Sequence, residues 1–161
     1  MSLENRPSLM RLVVLCFTAI AGLSLGTFAI SESAQTQQDL NDNHKKWISK
    51  NIKDYQYTFS WSCFCPPEHN KPVVISVRNG ILSSIKYADG SGPVDKSRYA
   101  NYRTVEGLFE FLQDAIDRKA YRMRVSYDAS LGYPTSASID YDERIADEEK
   151  SFKAAGLVAN P

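Results

Sequence analysis

The chain has 161 residues, a length that favours one globular domain, and its 43% hydrophobic and 24% charged residues are ordinary for a folded protein. Its 19 lysines and arginines are balanced by 19 aspartates and glutamates. This neutral balance argues against nucleic acid as a partner, because phosphate backbones select proteins with clustered positive charge.

An apolar run without charges extends over residues 12–30. Arg6 and Arg11 precede it, and small and polar residues follow at 31–36. This layout is typical of a bacterial secretory signal, so residues 1–34 are predicted to direct export. The run is also long enough to span a bilayer, so an uncleaved anchor with membrane contact only through residues 12–30 is the alternative. Both alternatives predict a periplasmic or other extracytoplasmic location.

Residues 35–161 are expected to form a single domain that begins with a polar tether over about 35–45. The tether runs into a predicted helix over about 38–52, because apolar residues there fall near the i, i+3, i+4, i+7 spacing of one stripe. The stripe consists of Leu40, His44, Trp47, Ile48 and Ile52.

Two strand patterns follow. Aromatic residues and cysteines alternate with polar residues from Tyr55 to Cys65, which indicates a half-buried strand that Pro66-Pro67 ends. A hairpin is then predicted, because Asn79-Gly80 accepts the positive φ values of a type I′ turn between two apolar arms. The residues expected on one face are Val73, Ile75 and Val77 in the first arm, and Ile81, Ser83, Ile85 and Tyr87 in the second.

The second half of the chain repeats these periodicities after a predicted loop over 88–103. Thr104 is placed to N-cap an amphipathic helix that runs to about Lys119. Alternation predicts further strands over 121–127 and 135–141. Residues 150–158 are interpreted as a final edge strand, with a frayed helix as the alternative. Together these elements predict an α+β fold, with an antiparallel sheet of five or six strands and two helices packed on one face.

Several short motifs follow one another along this domain. They are Ser62-Cys63-Phe64-Cys65-Pro66-Pro67, Val77-Arg78-Asn79-Gly80, Thr104-Val105-Glu106-Gly107-Leu108-Phe109, Tyr127-Asp128, Gly132-Tyr133-Pro134, Ile139-Asp140 and Asp147-Glu148-Glu149. Their order resembles a bacterial family of secreted and lipoprotein-type domains of unknown function. The resemblance spans about residues 45–158 and implies an extracytoplasmic location and a shared fold, without an activity.

Cys63 and Cys65 are the only cysteines after residue 34. In an extended strand their Cα atoms are roughly 6.5–7 Å apart, at or beyond the usual disulfide limit, so pairing requires a bulge or a turn. Three interpretations stay open: a structural role as a disulfide or as packed thiols, a strained and reducible disulfide, and a soft-metal site. In the metal interpretation His69 joins the two cysteines to bind Cu(I) or Zn(II).

Two further groups of residues invite a functional interpretation. Tyr127, Asp128, Gly132, Tyr133 and Pro134 form either a polar site or a structural turn. The acidic residues Asp140, Asp142, Glu143, Asp147, Glu148 and Glu149 suggest a cation site. A calcium loop that starts at Asp140 fails, since Ile145 stands where glycine is required. A solvated acidic face or an irregular cation site remains.

No catalytic residue is assigned, because His44 and His69 are the only histidines and no nucleophile-elbow or glycine-rich phosphate motif is present. The preferred hypothesis is a non-catalytic domain that binds another envelope protein or a small ligand, without a cofactor. The alternative is a metal-binding or thiol-redox protein that uses Cys63, Cys65 and His69.

Overall fold

The computed structural model describes residues 32–145 and 149–159. Most of the predicted export segment lies outside these residues, as do Asp147 and Glu148 of the acidic run. The described helices are α1 (Glu32–Ser49), the single turn α2 (Pro67–Asn70), a 3₁₀ helix (Lys96–Asn101) and α3 (Val105–Asp117). The strands are β1 (Tyr55–Cys63), β2 (Val73–Arg78), β3 (Ile81–Tyr87), β4 (Arg122–Tyr127), β5 (Pro134–Asp140) and β6 (Lys150–Ala159).

The six strands form one sheet in the order β3-β2-β1-β6-β5-β4, and all neighbours are antiparallel. The predicted α+β class and antiparallel sheet are thus confirmed. The predicted edge position of the last strand is wrong, since β6 lies between β1 and β5. Phe152 and Ala154 bury one face of β6, and both of its backbone edges are paired with neighbours.

The core covers one face of the sheet. In β1, Tyr55, Tyr57 and Phe59 are almost fully buried, whereas Gln56 and Thr58 between them are exposed. The same cluster includes Trp47 of α1 and five apolar residues of α3, namely Val105, Leu108, Phe109, Leu112 and Ala115. None of the helices in the described ranges combines the length and the apolar character needed to cross a bilayer.

Helix α1 begins at Glu32, so the residues predicted to form a polar tether over about 35–45 are helical instead. The contacts of α1 explain this difference. The side chains of Gln37 and Gln113 exchange hydrogen bonds of 2.9 and 3.0 Å, and the His44 ring stacks on Phe109 at 4.4 Å between centroids. Helix α1 ends at Ser49, before the predicted limit near residue 52.

A node of hydrogen bonds joins α1, β1 and the start of α3. The Trp47 indole N–H donates to Glu106 at 2.9 Å, and the Val105 backbone N–H donates to the Tyr55 hydroxyl at 2.9 Å. The Thr104 hydroxyl accepts from the Gly107 N–H at 3.1 Å, which confirms the predicted N-cap. Two of the orphan N–H groups at the start of α3, those of Val105 and Gly107, are therefore satisfied by polar side chains.

The hairpin of β2 and β3 forms as predicted, and Asn79 and Gly80 have φ angles of 51° and 75°. The predicted face of its second arm is wrong in part. A register shift follows Ser76, so Val77 pairs with Leu82, and Leu82 packs against the core while Ile81 is 70% exposed. A bulge adds one residue to a strand and thereby inverts the faces beyond it.

Candidate functional site

The Cys63-Phe64-Cys65 segment turns sharply at the end of β1. The Cys65 N–H donates to the Cys63 carbonyl at 2.9 Å, a hydrogen bond between residues i+2 and i that defines a γ-turn. The two Cα atoms are 5.3 Å apart and the two Sγ atoms are in bonding contact. The turn therefore supplies the shortening that an extended Cys-x-Cys strand lacks.

Asn70, the last residue of α2, holds this turn from the other side. Its side-chain Nδ2 donates to the Cys63 carbonyl at 3.4 Å. Its Oδ1 atom lies 3.5 Å from the Cys63 sulfur and 3.3 Å from the Cys65 sulfur. The two prolines and α2 thus fold the chain back, so that a single amide contacts both sulfurs.

A cleft of about 200 Å³ opens beside Cys63. We call it the Trp61 cleft, and its lining residues are Trp61, Cys63, His69, Ala100, Asn101, Arg103, Phe111 and Lys150. They come from β1, α2, the 3₁₀ helix, α3 and β6, and from the segment between the 3₁₀ helix and α3. The structure therefore places Cys63 and His69 on the lining of one cleft, while Cys65 is not among the lining residues.

Hydrogen bonds from aromatic side chains of β1 hold one wall of the Trp61 cleft in place. The Trp61 indole N–H donates to the Asn101 carbonyl at 2.8 Å, and the Tyr57 hydroxyl donates to the Arg103 carbonyl. Burial raises the pKa of Tyr57 well above its usual value, so this hydroxyl stays protonated as a donor. The backbone of 101–103 is consequently held in place by the core.

Two aromatic rings form the apolar part of the cleft. Trp61 and Phe111 meet edge to face with 5.4 Å between centroids, and the Arg103 guanidinium lies 5.3 Å from the Phe111 centroid. An arginine over a ring retains its charge and keeps its N–H edges in fixed directions. Arg103 is thereby oriented by Phe111 and by its own anchored backbone.

The lining of the Trp61 cleft is basic. Arg103, Lys150 and His69 contribute cationic or titratable nitrogen, and no aspartate or glutamate is among the lining residues. Within the described part of the chain, no ion pair involves any of these three side chains. The Arg103 Nε atom is buried and has no hydrogen-bond partner among the described residues. Cationic side chains that line a cleft without an acidic neighbour favour an anionic ligand.

A second, larger depression of about 480 Å³ lies on the open face of the sheet. Register places Ser60, Lys153 and Ser136 in one cross-strand row, and Ser62, Ser151 and Ser138 in the next. This surface offers hydroxyl groups, but it gathers none of the residues that the sequence singles out. The smaller Trp61 cleft is therefore the better candidate site.

The candidate group around Asp128 forms a structural corner. The Asp128 carboxylate accepts from the backbone N–H groups of Ser130 and Leu131 at 3.0 and 2.7 Å. These bonds, that of Leu131 foremost, lower the pKa of Asp128. Tyr133 is buried against Trp47, edge to face. These contacts satisfy the loop internally and favour the structural turn over a polar site.

Gly132 and Tyr127 complete this corner, and Pro134 is buried at the start of β5. Gly132 has a φ of 82°, and its backbone approaches α1 so closely that an added Cβ would lie 2.5 Å from the Asn43 carbonyl oxygen. The Tyr127 hydroxyl is buried without a partner among the described residues, and burial raises its pKa.

The described acidic residues do not converge. Asp140 pairs in register with Arg122 at the end of β5. Asp142 accepts two hydrogen bonds from the Arg144 side chain, which lowers the pKa of Asp142 to about 2. Glu149 is exposed, and Asp147 and Glu148 lie outside the described residues. In the described ranges, no three or more His, Cys, Asp or Glu side chains are grouped to hold a metal ion.

Sequence reasoning missed Asn101, Arg103, Phe111 and Lys150 as site residues. Each belongs to a segment with another evident role: a loop, the apolar stripe of a helix or the start of a strand. The one available signal was Arg103, a cation directly before the N-cap of α3. Even this position does not reveal that the side chain turns toward Phe111.

The fold and the cleft define a small α+β domain with a basic, aromatic depression at one end of its sheet. Residues 39–159 match the model of the family of unknown function DUF6174. The chain therefore belongs to this family. No curated protein matches the chain in sequence.

Proposed function

We propose that this protein is an exported domain of the bacterial envelope that binds a small organic anion in the Trp61 cleft. The observation that carries the proposal is the lining itself, with three basic side chains, two aromatic rings and no acidic residue. The N-terminal apolar segment supports export. The resemblance of the motif order to a family of secreted and lipoprotein-type domains supports the same location.

The chemistry of the cleft defines the ligand class. A carboxylate or phosphate accepts hydrogen bonds from the Arg103 guanidinium and the Lys150 ammonium, and these charge-assisted bonds are the strong ones. A flat apolar group fits beside Trp61 and Phe111. The volume of about 200 Å³ is below the roughly 300–1,000 Å³ of drug-sized ligand pockets, which favours a ligand of about the size of one aromatic ring.

The overall arrangement supports this role. We infer that α1 and α3 pack together on the buried face of the sheet, since Gln37, His44 and Trp47 of α1 all contact side chains of α3. This arrangement leaves the end of β1 accessible between α2 and β6. Binding in the cleft requires neither a nucleophile nor a cofactor.

A metal centre is the weaker alternative at this position. Thiolate sulfurs bind soft metals, but the Cys63 and Cys65 sulfurs are in bonding contact with each other. His69 lines the cleft with Cys63, whereas Cys65 does not. The geometry therefore favours an organic ligand beside a closed pair of sulfurs.

Calorimetric titration with benzoate and benzamide tests the proposal, because the two probes share a shape and differ in charge. We expect the full-length protein to bind benzoate and to bind benzamide at least tenfold more weakly. Arg103→Gln should weaken benzoate binding roughly tenfold or more, because a hydrogen bond to a charged group contributes about 1.5–3 kcal/mol.

Arg124→Gln is the matched control, since Arg124 is an exposed arginine on the open face of β4. It should leave benzoate binding unchanged. Equal affinity for the two probes, or an equal loss in both variants, would contradict an anion site in the Trp61 cleft.

A further inference from the structure

The surroundings of the two cysteines suggest more than a structural link. Both residues are only partly buried, and Phe64 between them is 86% exposed. The γ-turn therefore presents the Cys63–Cys65 disulfide at the surface, at the rim of the Trp61 cleft. A large exposed apolar side chain beside a reachable disulfide is a suitable contact for another polypeptide.

The two sulfurs lie in different electrostatic environments. Cys63 is the direct cross-strand neighbour of Lys150, and both line the cleft together with His69 and Arg103. Cys65 lies outside that lining. Nearby cations stabilise a thiolate, and a stabilised thiolate is the better leaving group in disulfide exchange. Cys63 is therefore the sulfur that leaves and Cys65 the sulfur that is attacked.

Asn70 accommodates the reduced state as well. Its Oδ1 atom is 3.5 and 3.3 Å from the two sulfurs, so it can accept a hydrogen bond from either thiol once the disulfide is opened. Its Nδ2 atom meanwhile donates to the Cys63 carbonyl. Opening the disulfide thus leaves no new buried polar group without a partner nearby.

We propose that Cys63 and Cys65 exchange their disulfide with a dithiol of a partner polypeptide. A partner thiolate attacks the Cys65 sulfur, the Cys63–Cys65 bond breaks, and Cys63 leaves as a thiolate that Lys150 stabilises. The second partner thiolate then attacks the mixed disulfide and releases Cys65. The partner dithiol is oxidised to a disulfide, the Cys63–Cys65 disulfide is reduced to two thiols, and the two protons of the partner pass to them. This activity goes beyond ligand binding and does not require it.

Site-resolved trapping with reduced glutathione tests the order of attack. The oxidised, full-length protein is mixed with glutathione, quenched early with an alkylating agent, and fragmented in a mass spectrometer. We expect glutathione on Cys65 and the alkyl group on Cys63. Glutathione mainly on Cys63, or reduction that proceeds only after urea unfolding, would overturn the proposal.

Lys150→Gln and Lys153→Gln provide a matched pair, since both lysines lie in β6 and face opposite sides of the sheet. We expect Lys150→Gln to slow reduction by glutathione roughly threefold or more, because the leaving thiol becomes less acidic. Lys153→Gln should retain the wild-type rate, and both oxidised variants should melt like the wild type. Equal rates in the two variants would remove Lys150 from the mechanism.

Discussion

Two buried tyrosine hydroxyls in this protein differ in whether they have a hydrogen-bond partner. The Tyr57 hydroxyl donates to the Arg103 carbonyl and so connects the core to the wall of the Trp61 cleft. The Tyr127 hydroxyl is buried without a partner in the described part of the chain. A satisfied buried donor stabilises a fold modestly, whereas a buried group without a partner costs free energy.

Removing each hydroxyl should therefore have different effects. Tyr57→Phe leaves the Arg103 carbonyl unsatisfied and should lower the free energy of unfolding by about 1–3 kcal/mol. Tyr127→Phe should leave it within about 0.5 kcal/mol of the wild type or raise it. Urea denaturation of both variants at neutral pH measures the difference, and an equal loss would contradict the hydrogen bonding described above.

The same tyrosines make the fold sensitive to alkali. Burial raises the pKa of Tyr57 in the folded state, so the unfolded chain releases its proton first, near pH 10. The stabilising contribution is complete below that pH and is lost as the pH rises above it.

Between pH 8 and pH 11 the ionisation of Tyr57 in the unfolded chain should therefore lower the free energy of unfolding by about 1.4 kcal/mol. Tyr57→Phe should consequently lose about 1.4 kcal/mol less over this interval than the wild type does. Urea denaturation at the two pH values provides the comparison. A variant as sensitive to alkali as the wild type would show that Tyr57 ionises while folded.

At the scale of elements, the docking of α1 depends on the corner between β4 and β5. Gly132 approaches the Asn43 carbonyl of α1, and the Lys46 ammonium donates to the Ala129 carbonyl at 3.2 Å. Tyr133 packs on Trp47. Residues 127–134 therefore hold α1 against the sheet, and this structural role explains the Tyr-Asp and Gly-Tyr-Pro motifs.

A comparison of Gly132→Ala with Gly90→Ala distinguishes the effect of a steric clash with α1 from the effect of an unfavourable backbone conformation. Their φ angles are 82° and 80°, but an added Cβ would meet α1 at Gly132 and nothing within 4 Å at Gly90. Gly90→Ala should cost about 1–2 kcal/mol for the left-handed conformation alone. Gly132→Ala should cost roughly 1–3 kcal/mol more, since α1 must move. Thermal melting of the two variants tests this, and equal losses would mean that α1 does not contact the corner.

Local patterns predicted most of these elements because the signals are local. The Asn79-Gly80 turn, the Thr104 cap and the alternation of β1 each lie within a few residues. The wrong predictions occur where contacts between residues distant in the sequence determine the structure. A bulge opposite Ser76 inverted the second hairpin arm, contacts with α3 extended α1 toward Glu32, and pairing on both edges placed β6 inside the sheet.

At the scale of the whole molecule, the Trp61 cleft exists only after separate elements meet. The sequence could connect Cys63 with His69 because they are six positions apart. It could not connect them with Phe111 or Lys150, which the sheet register and the packing of α3 bring to the same place. The contact between the Cys63 and Cys65 sulfurs likewise depends on a γ-turn, which the spacing of an extended strand does not predict.

The two tryptophans allow the most direct test of ligand binding. Trp61 lines the cleft, whereas Trp47 of α1 is buried in the core and donates to Glu106. Their indole N–H resonances, assigned with a Trp61→Phe variant, report on the two places separately. We predict that benzoate shifts the Trp61 resonance in a saturable manner and leaves that of Trp47 in place, while benzamide shifts the Trp61 resonance only at concentrations at least tenfold higher. A saturable shift of Trp47 alone, or no response of Trp61 to benzoate, would contradict a binding site in the cleft.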